Sequence, residues 1–178
     1  MKYKLMNKDN EILEFDINYI DNKTICKVNK LLTDEKNLPY GIRYTNNDLN
    51  SINIKSWLAN RKSYTHNNTM KEIMETLQCV SDTDFIKYTH GTSINDTFWV
   101  KEISENIKFS NISLYINNFN DIISYASFEN INNDELKTLI NERTISPELI
   151  VGGSFKKCFR RIDNNIYMYK RGLSVTCQ

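Results

Sequence analysis

The chain has 178 residues, with 23 Lys and Arg and 22 Asp and Glu, which gives a formal net charge of +1. Hydrophobic residues make up 40% of the chain and aromatic residues 11%. This composition excludes an intrinsically disordered, highly charged chain, and the balanced charge provides no field that would attract nucleic acid or an acidic membrane face. The length suits one ordinary domain or two small lobes with a shared interface.

The N-terminus has no apolar core of a signal peptide, and no apolar run approaches the roughly 20 residues of a membrane-spanning helix. A cytoplasmic location is therefore expected, without direct contact with a membrane or with nucleic acid. The four cysteines, Cys26, Cys79, Cys158 and Cys177, are widely spaced and form no CxxC pair. They are predicted to be reduced thiols, and no metal site is predicted.

The first half of the chain begins with a predicted β-hairpin. Apolar residues alternate with polar ones over residues 3–17 on both sides of a polar turn at 7–10. Residues 19–32 are ambiguous in type. Residues 38–42, with the sequence Leu-Pro-Tyr-Gly-Ile, are predicted to form a turn that enters a short strand.

Several helices are predicted next. Helical spacing of apolar residues predicts one over 48–62, and a Thr-x-x-Glu capping box at Thr69 starts another that continues to Leu77. A third covers 81–88, with Gly91 as its terminator.

A short buried strand at 97–100 follows, and after it comes a stretch of unsettled type at 109–119. A helix is then predicted from residue 133 or 134 to Ile140.

From Thr144 the sequence predicts a strand, a glycine-rich turn, a second strand, a tight turn at 163–165 and a last strand that ends at Lys170. A phosphate can approach main-chain amides closely only where no side chain is in the way, and Gly152 and Gly153 have no β-carbon. The Ser154 hydroxyl could donate a further hydrogen bond to the phosphate. A lysine at the end of the last strand could neutralise phosphate charge. From these residues alone, a structural turn followed by a solvated lysine is the more common source of the pattern.

Segments spread over most of the chain resemble the HipA-like protein kinase family, including its small CtkA-type members. Four of them, at residues 4–15, 38–42, 54–61 and 93–101, resemble the N-terminal region of the family. The stretch from Ser146-Pro147-Glu148-Leu149 through Gly152-Gly153 to Lys157, with Ile166 to Lys170 behind it, is similar to the phosphate loop and the lysine strand of the family.

This resemblance implies that residues 1–142 form a HipA-like N-terminal region and that residues 143–178 begin a kinase-like N-lobe. Gly152, Gly153 and Ser154 would line the phosphate loop, Lys157 would flank it, and Lys170 would contact ATP. Ser146 and Ser154 become candidate autophosphorylation sites. The implied fold class is α+β: an N-terminal β-hairpin and a small helical region, followed by an antiparallel sheet that resembles part of a kinase N-lobe.

ATP and magnesium are the cofactors of the intact family fold. In that family the lysine strand is followed by the catalytic aspartate, the magnesium ligands and the glutamate partner of the lysine. The chain is therefore expected to be a truncated fragment that is not catalytically competent alone. It is expected to bind no cofactor tightly. The alternative is a stand-alone regulatory or interaction module, like the detached N-terminal domains of split toxin–antitoxin systems. A third class is an interaction domain without a nucleotide role. A protein partner or a dimer is expected, because a severed lobe exposes strand edges.

A few other residues have two interpretations. His66 and His90 lie in polar loops, where surface histidines are expected rather than ligands. Asp96 is expected to cap the local amides of a turn, with a contact to a partner or an active site as the alternative. Trp57 and Trp99 are expected in the core. The cluster Lys156, Lys157, Arg160 and Arg161 is expected to be a solvated strand face rather than a phosphate site.

Overall fold

The fold is α+β, as predicted. The computed structural model describes residues 1–21, 23–61, 75, 78–79, 82–93, 95–113, 116 and 157–170. The strands in this part of the chain are β1 (Lys2–Asn7), β2 (Asn10–Ile20), β3 (Lys23–Leu31), β4 (Phe98–Glu102), β5 (Lys157–Ile162) and β6 (Asn165–Lys170). The α-helices are α1 (Ile54–Asn60), α2 (Asp82–Thr89) and the single-turn α3 (Phe109–Ile112), and two 3-10 turns cover Glu35–Asn37 and Leu49–Ser51.

The first four strands form one antiparallel sheet in the order β3-β2-β1-β4. The predicted N-terminal hairpin is confirmed: β1 and β2 join through a tight turn in which Lys8 has a φ of 50°. The ambiguous residues 19–32 extend β2 to Ile20 and form β3, which pairs with β2 along its length. β4 joins the sheet from a distant part of the sequence by pairing with β1.

The larger core covers one face of this sheet. Alternation along β1 and β2 places Tyr3, Leu5, Leu13 and Phe15 there, each almost fully buried. Helix α1 packs against the same face. The core is completed by residues of α1, α2, β4 and the segment between β3 and α1, namely Ile42, Ile52, Ile54, Trp57, Leu58, Ile86 and Val100.

A smaller core lies around Trp99. Met6 and Trp99 face each other on β1 and β4, and Ile112 of α3 packs against them. The Trp99 indole nitrogen donates to the Lys8 carbonyl at 2.7 Å, so the buried ring keeps no unpaired donor. Both tryptophans are therefore core residues, as predicted from the sequence.

Two element predictions are wrong in part. Residues 38–42 form a turn, closed by the Ile42 amide on the Pro39 carbonyl at 3.1 Å, but they enter no strand. The helix predicted over 48–62 is divided into the 3-10 turn Leu49–Ser51 and α1. The division occurs because the Asp48 and Asn53 side chains each accept a backbone amide and so begin two separate helical turns.

The other predicted elements in the described residues agree with the structure. Helix α2 covers most of 81–88 and is followed by Gly91 with a φ of +57°, and β4 includes the strand predicted at 97–100. The stretch 109–119, of unsettled type, begins with the single turn α3. The helices predicted at 69–77 and 133–140 and the strand predicted from Thr144 lie outside the described residues, apart from Glu75.

The C-terminal strands β5 and β6 form a separate two-stranded antiparallel sheet. A two-residue turn joins them, in which Asp163 and Asn164 have φ of 48° and 66°. Both values lie in the left-handed region that Asp and Asn tolerate and that a type I′ hairpin requires. The tight turn predicted here is confirmed, with Asn165 already belonging to β6.

Within the described part of the chain, none of the helices combines the length and the apolar character that a membrane crossing would need.

Candidate functional site

The two lysines predicted to contact nucleotide are direct partners in the β5–β6 hairpin. Lys157 is the first residue of β5 and Lys170 the last residue of β6, and their Cα atoms are paired in the register. Both residues therefore lie at the open end of the hairpin, away from the Asp163–Asn164 turn. Opposed residues of an antiparallel pair belong to the same face of the sheet, so the register brings these two predicted site residues together.

The glycine pair and both serines of the predicted site, Gly152, Gly153, Ser154 and Ser146, lie outside the described residues. Their placement in the phosphate loop therefore stays a prediction. In the sequence, Gly153 precedes Lys157 by four residues.

Strand β6 is exposed along its whole length. The exposed fractions are 41% for Ile166, 48% for Tyr167, 55% for Met168 and 42% for Tyr169. These neighbours alternate between the two faces of the ribbon, so the side chains of β6 are exposed on both faces. Phe159 of β5 differs, since it is buried. Of the predicted basic cluster, Arg160 is exposed, as expected for a solvated strand face, and Lys156 lies outside the described residues.

A second cluster of polar contacts centres on Arg61, just after α1. Its Nη1 and Nη2 donate to the two carboxylate oxygens of Asp96, each at 2.7 Å. Nη2 also donates to the Phe98 carbonyl at 2.7 Å, and Nε donates to the Gly91 carbonyl. The guanidinium carbon lies 4.3 Å from the centre of the Trp57 ring, so the cation also stacks on an aromatic face.

Because these contacts occupy Nε and both terminal nitrogens of a nearly buried guanidinium, Arg61 is a structural clamp rather than a site for an external anion. Asp96 caps the Phe98 amide at 2.9 Å, which confirms the predicted local capping role. The sequence reasoning missed its pairing with Arg61. No local pattern signals this pairing, because the two residues are 35 positions apart in the sequence.

His90 is buried, so the prediction of a surface histidine is wrong. Its Nδ1 lies 3.1 Å from the Val100 carbonyl, and its own carbonyl accepts the Val100 amide at 2.7 Å. A carbonyl can only accept, so Nδ1 carries the hydrogen of that contact. His90 thus binds the edge of β4 as a neighbouring strand would, and its ring packs edge-on against Trp99. His66 lies outside the described residues.

A buried tyrosine lies beside an acidic residue at the end of the sheet. Tyr3 pairs with Glu102 across β1 and β4, and its hydroxyl is 3.4 Å from a Glu102 carboxylate oxygen. Burial, and then the negative charge of Glu102, raise the pKa of Tyr3 well above its usual range. The phenol is therefore a neutral core group at physiological pH, unsuited to act as a general base.

The connection between β3 and α1 forms an open groove of about 830 Å³ lined by Asp34 to Lys36 and Leu38 to Arg43. Tyr40 is fully exposed at its rim. Lys36 and Asp34 form an ion pair at 3.4 Å between two exposed side chains, which is too weak to organise a binding site. The groove therefore lacks the buried, convergent polar groups of a small-molecule site.

No group of three or more His, Cys, Asp or Glu in the described residues has an arrangement that could hold a metal ion. Comparisons with protein-family models, with curated proteins and with solved structures each gave no match. Of the sites above, only the open end of the β5–β6 hairpin brings together residues that the sequence assigned to one chemical task.

Proposed function

We propose that the chain is a fragment of a HipA-like protein serine/threonine kinase, located in the cytoplasm, with a partial ATP-binding lobe that does not catalyse phosphoryl transfer alone. The observation that carries this proposal is the pairing of Lys157 with Lys170 at the open end of the β5–β6 hairpin. A kinase-type lobe needs a lysine on the strand beside the one that follows its glycine-rich loop. Lys170 stands in that relation to β5 and to Gly152–Gly153.

The chemistry of the paired lysines supports an anionic ligand. Lysine carries a positive charge at neutral pH, and lysines on neighbouring strands are the kind of residues that attract a phosphate group. Gly152, Gly153 and Ser154 would supply backbone amides and a hydroxyl to the same phosphates. Because about half of a nucleotide cleft would come from a further lobe, affinity for Mg-ATP should be weak, with a Kd on the order of 1 mM.

The test is a titration of the purified chain with Mg-ATP, followed by calorimetry or by the fluorescence of a labelled ATP. Lys170→Met removes the cation from β6, and Lys27→Met removes another exposed lysine, on β3, as the matched control. We expect K170M to lower the affinity at least about fivefold and K27M to leave it unchanged. Equal affinity in wild type and K170M, or no saturable binding at all, would contradict the nucleotide site.

The absence of catalysis is tested separately with labelled ATP. We expect the chain alone to incorporate no phosphate, because the proposed fragment lacks the magnesium ligands and the catalytic aspartate. Label on Ser146 or Ser154 after incubation of the chain by itself would overturn that part of the proposal.

A second function, a regulatory or interaction module for a HipA-type kinase or another protein, is supported by one observation. The exposed apolar residues of β6 form an unprotected strand surface of the kind that binds another chain. The module proposal predicts normal partner binding by K170M, whereas a nucleotide-dependent complex would be weakened by that substitution.

A further inference from the structure

We infer that β6 is a self-association edge, through which two copies of this chain pair their β6 strands antiparallel to form a continuous four-stranded sheet. The inference does not depend on nucleotide binding. It rests on the hydrogen-bonding pattern, exposure and sequence of β6, and on a contrast with the two edges of the N-terminal sheet.

The hairpin register determines which backbone groups of β6 point away from β5. The residues that flank the two-residue turn, Ile162 and Asn165, are paired, and in an antiparallel ladder hydrogen-bonded positions alternate with outward-facing ones. Asn165, Tyr167 and Tyr169 therefore bond to β5, whereas the amides and carbonyls of Ile166 and Met168 face outward. In the described part of the chain, no hydrogen bond from Ile166 or Met168 reaches beyond the hairpin.

The two edges of the four-stranded sheet are protected, in contrast to β6. On β4 the outward Phe98 carbonyl accepts from Arg61, and His90 occupies both the amide and the carbonyl of Val100. The outer strand β3 carries three exposed lysines, Lys23, Lys27 and Lys30, and edge lysines oppose pairing with another chain. Strand β6 has a single charged residue, Lys170, at its very end, and its centre consists of Ile, Tyr, Met and Tyr.

The strand is complementary to itself. A two-fold axis perpendicular to the sheet at Tyr167 would pair Tyr167 with its copy and Ile166 with Met168 of the other chain, so that two pairs of outward-facing residues exchange backbone hydrogen bonds. Tyr167 would then oppose an aromatic residue and Ile166 the apolar Met168, and each Lys170 would lie opposite Asn164 of the other copy rather than opposite a like charge. A net charge of +1 adds little repulsion between copies.

Stability favours the same arrangement. A sheet of two strands has one set of cross-strand contacts, whereas a sheet of four strands adds the contacts of the new β6–β6 pair. The interface is small, so a dissociation constant of about 1–100 µM is expected.

Sedimentation of the full chain from about 1 µM to about 500 µM tests the inference, and we expect a reversible monomer–dimer equilibrium. Met168→Pro removes an outward N–H that β5 does not use, so the hairpin keeps its own hydrogen bonds while the edge is blocked. We expect this variant to raise the dissociation constant at least tenfold. Met168→Leu, which keeps the N–H, should associate like wild type.

Two further controls separate edge pairing from unfolding and from nonspecific adhesion. Trp57 lies in the larger core and Trp99 in the smaller core of the four-stranded sheet, so their fluorescence should be the same in every variant. Ile25→Lys removes another exposed apolar residue, on β3, and should leave association unchanged.

Hydrogen exchange locates the interface residue by residue. The Tyr167 and Tyr169 amides should be equally protected at all concentrations because they bond to β5, whereas the Ile166 and Met168 amides should gain protection as the dimer forms. A chain that stays monomeric over the whole concentration range, a dimer that survives M168P, or protection of Ile166 and Met168 that does not depend on concentration would each overturn the inference. Loss of ATP binding in K170M with unchanged association would leave it standing.

Discussion

Arg61 holds both carboxylate oxygens of Asp96 at 2.7 Å while its second terminal nitrogen also binds the Phe98 carbonyl on the outer edge of β4. One side chain thus joins the end of α1, the turn before β4 and the edge of the sheet. Two residues further along the same strand, His90 binds the outward carbonyl of Val100. The polar residues of this region serve chiefly to end the sheet at β4.

Substitution of Arg61 should destabilise the fold strongly. Arg61→Ala removes a nearly buried cation together with its bonds to two carbonyls, and we expect the free energy of unfolding to fall by about 3 kcal/mol. Arg61→Lys keeps the charge but loses the bidentate hydrogen bonds, so the free energy of unfolding should fall by a smaller but measurable amount. Urea unfolding followed by tryptophan fluorescence measures both. A loss below about 0.5 kcal/mol for R61A would show that solvent replaces the clamp.

Trp99 should be the most costly residue to truncate in the smaller core. Its side chain is fully buried between Met6 and Ile112, and its indole nitrogen satisfies the Lys8 carbonyl. Trp99→Ala should lower the free energy of unfolding by about 3–5 kcal/mol, and Trp99→Phe by less because most of the volume remains. Thermal unfolding followed by circular dichroism provides the comparison. Similar melting temperatures for W99A and W99F would contradict the packing argument.

The raised pKa of Tyr3 predicts that the fold loses stability in alkaline solution. Its pKa is raised in the folded chain above the value near 10 of an unfolded tyrosine, by burial first and by Glu102 second. Above about pH 10 the unfolded chain loses the phenolic proton while the folded chain keeps it, so the free energy of unfolding falls as the pH rises. Below that pH both states are protonated, and the contribution does not vary.

Tyr3→Phe has no phenolic proton and provides the control. The difference in free energy of unfolding between wild type and Y3F should be constant from pH 7 to about pH 9.5 and then shift against wild type by up to about 1.4 kcal/mol per pH unit. Parallel pH profiles for the two proteins in urea titrations would refute this assignment.

Cys79 should react slowly with thiol reagents. Burial raises its pKa to about 11, and Asp84 adds to the effect, so less thiolate is present at neutral pH than for an ordinary cysteine. Alkylation with iodoacetamide at pH 7.5, followed by peptide mass mapping, should label Cys79 on the order of 100-fold more slowly than the same peptide in urea. Asp84→Asn should speed the reaction in the folded chain. Equal rates in folded and unfolded chains would contradict the prediction.

The parts of the fold that the sequence predicted well are those with local causes. Alternating apolar residues around a polar turn were sufficient for β1 and β2, and Asp163-Asn164 was sufficient for the β5–β6 hairpin, because left-handed turn residues determine the register of the strands beside them. The pairing of Lys157 with Lys170 follows from that turn. The interrupted helix at 48–62 was missed because side chains within it cap two separate turns, which apolar spacing alone cannot reveal.

The amino-acid sequence by itself determined the α+β class, the two hairpins and the positions of Trp57 and Trp99 in the core, since each depends on periodicity or on residues only a few positions apart. The tertiary structure decided which strand became an edge and what covers it. Arg61 and Asp96 are 35 residues apart, and β4 reaches β1 across more than 90 residues. Such contacts form only when the whole core brings the segments together, so composition and spacing do not reveal them.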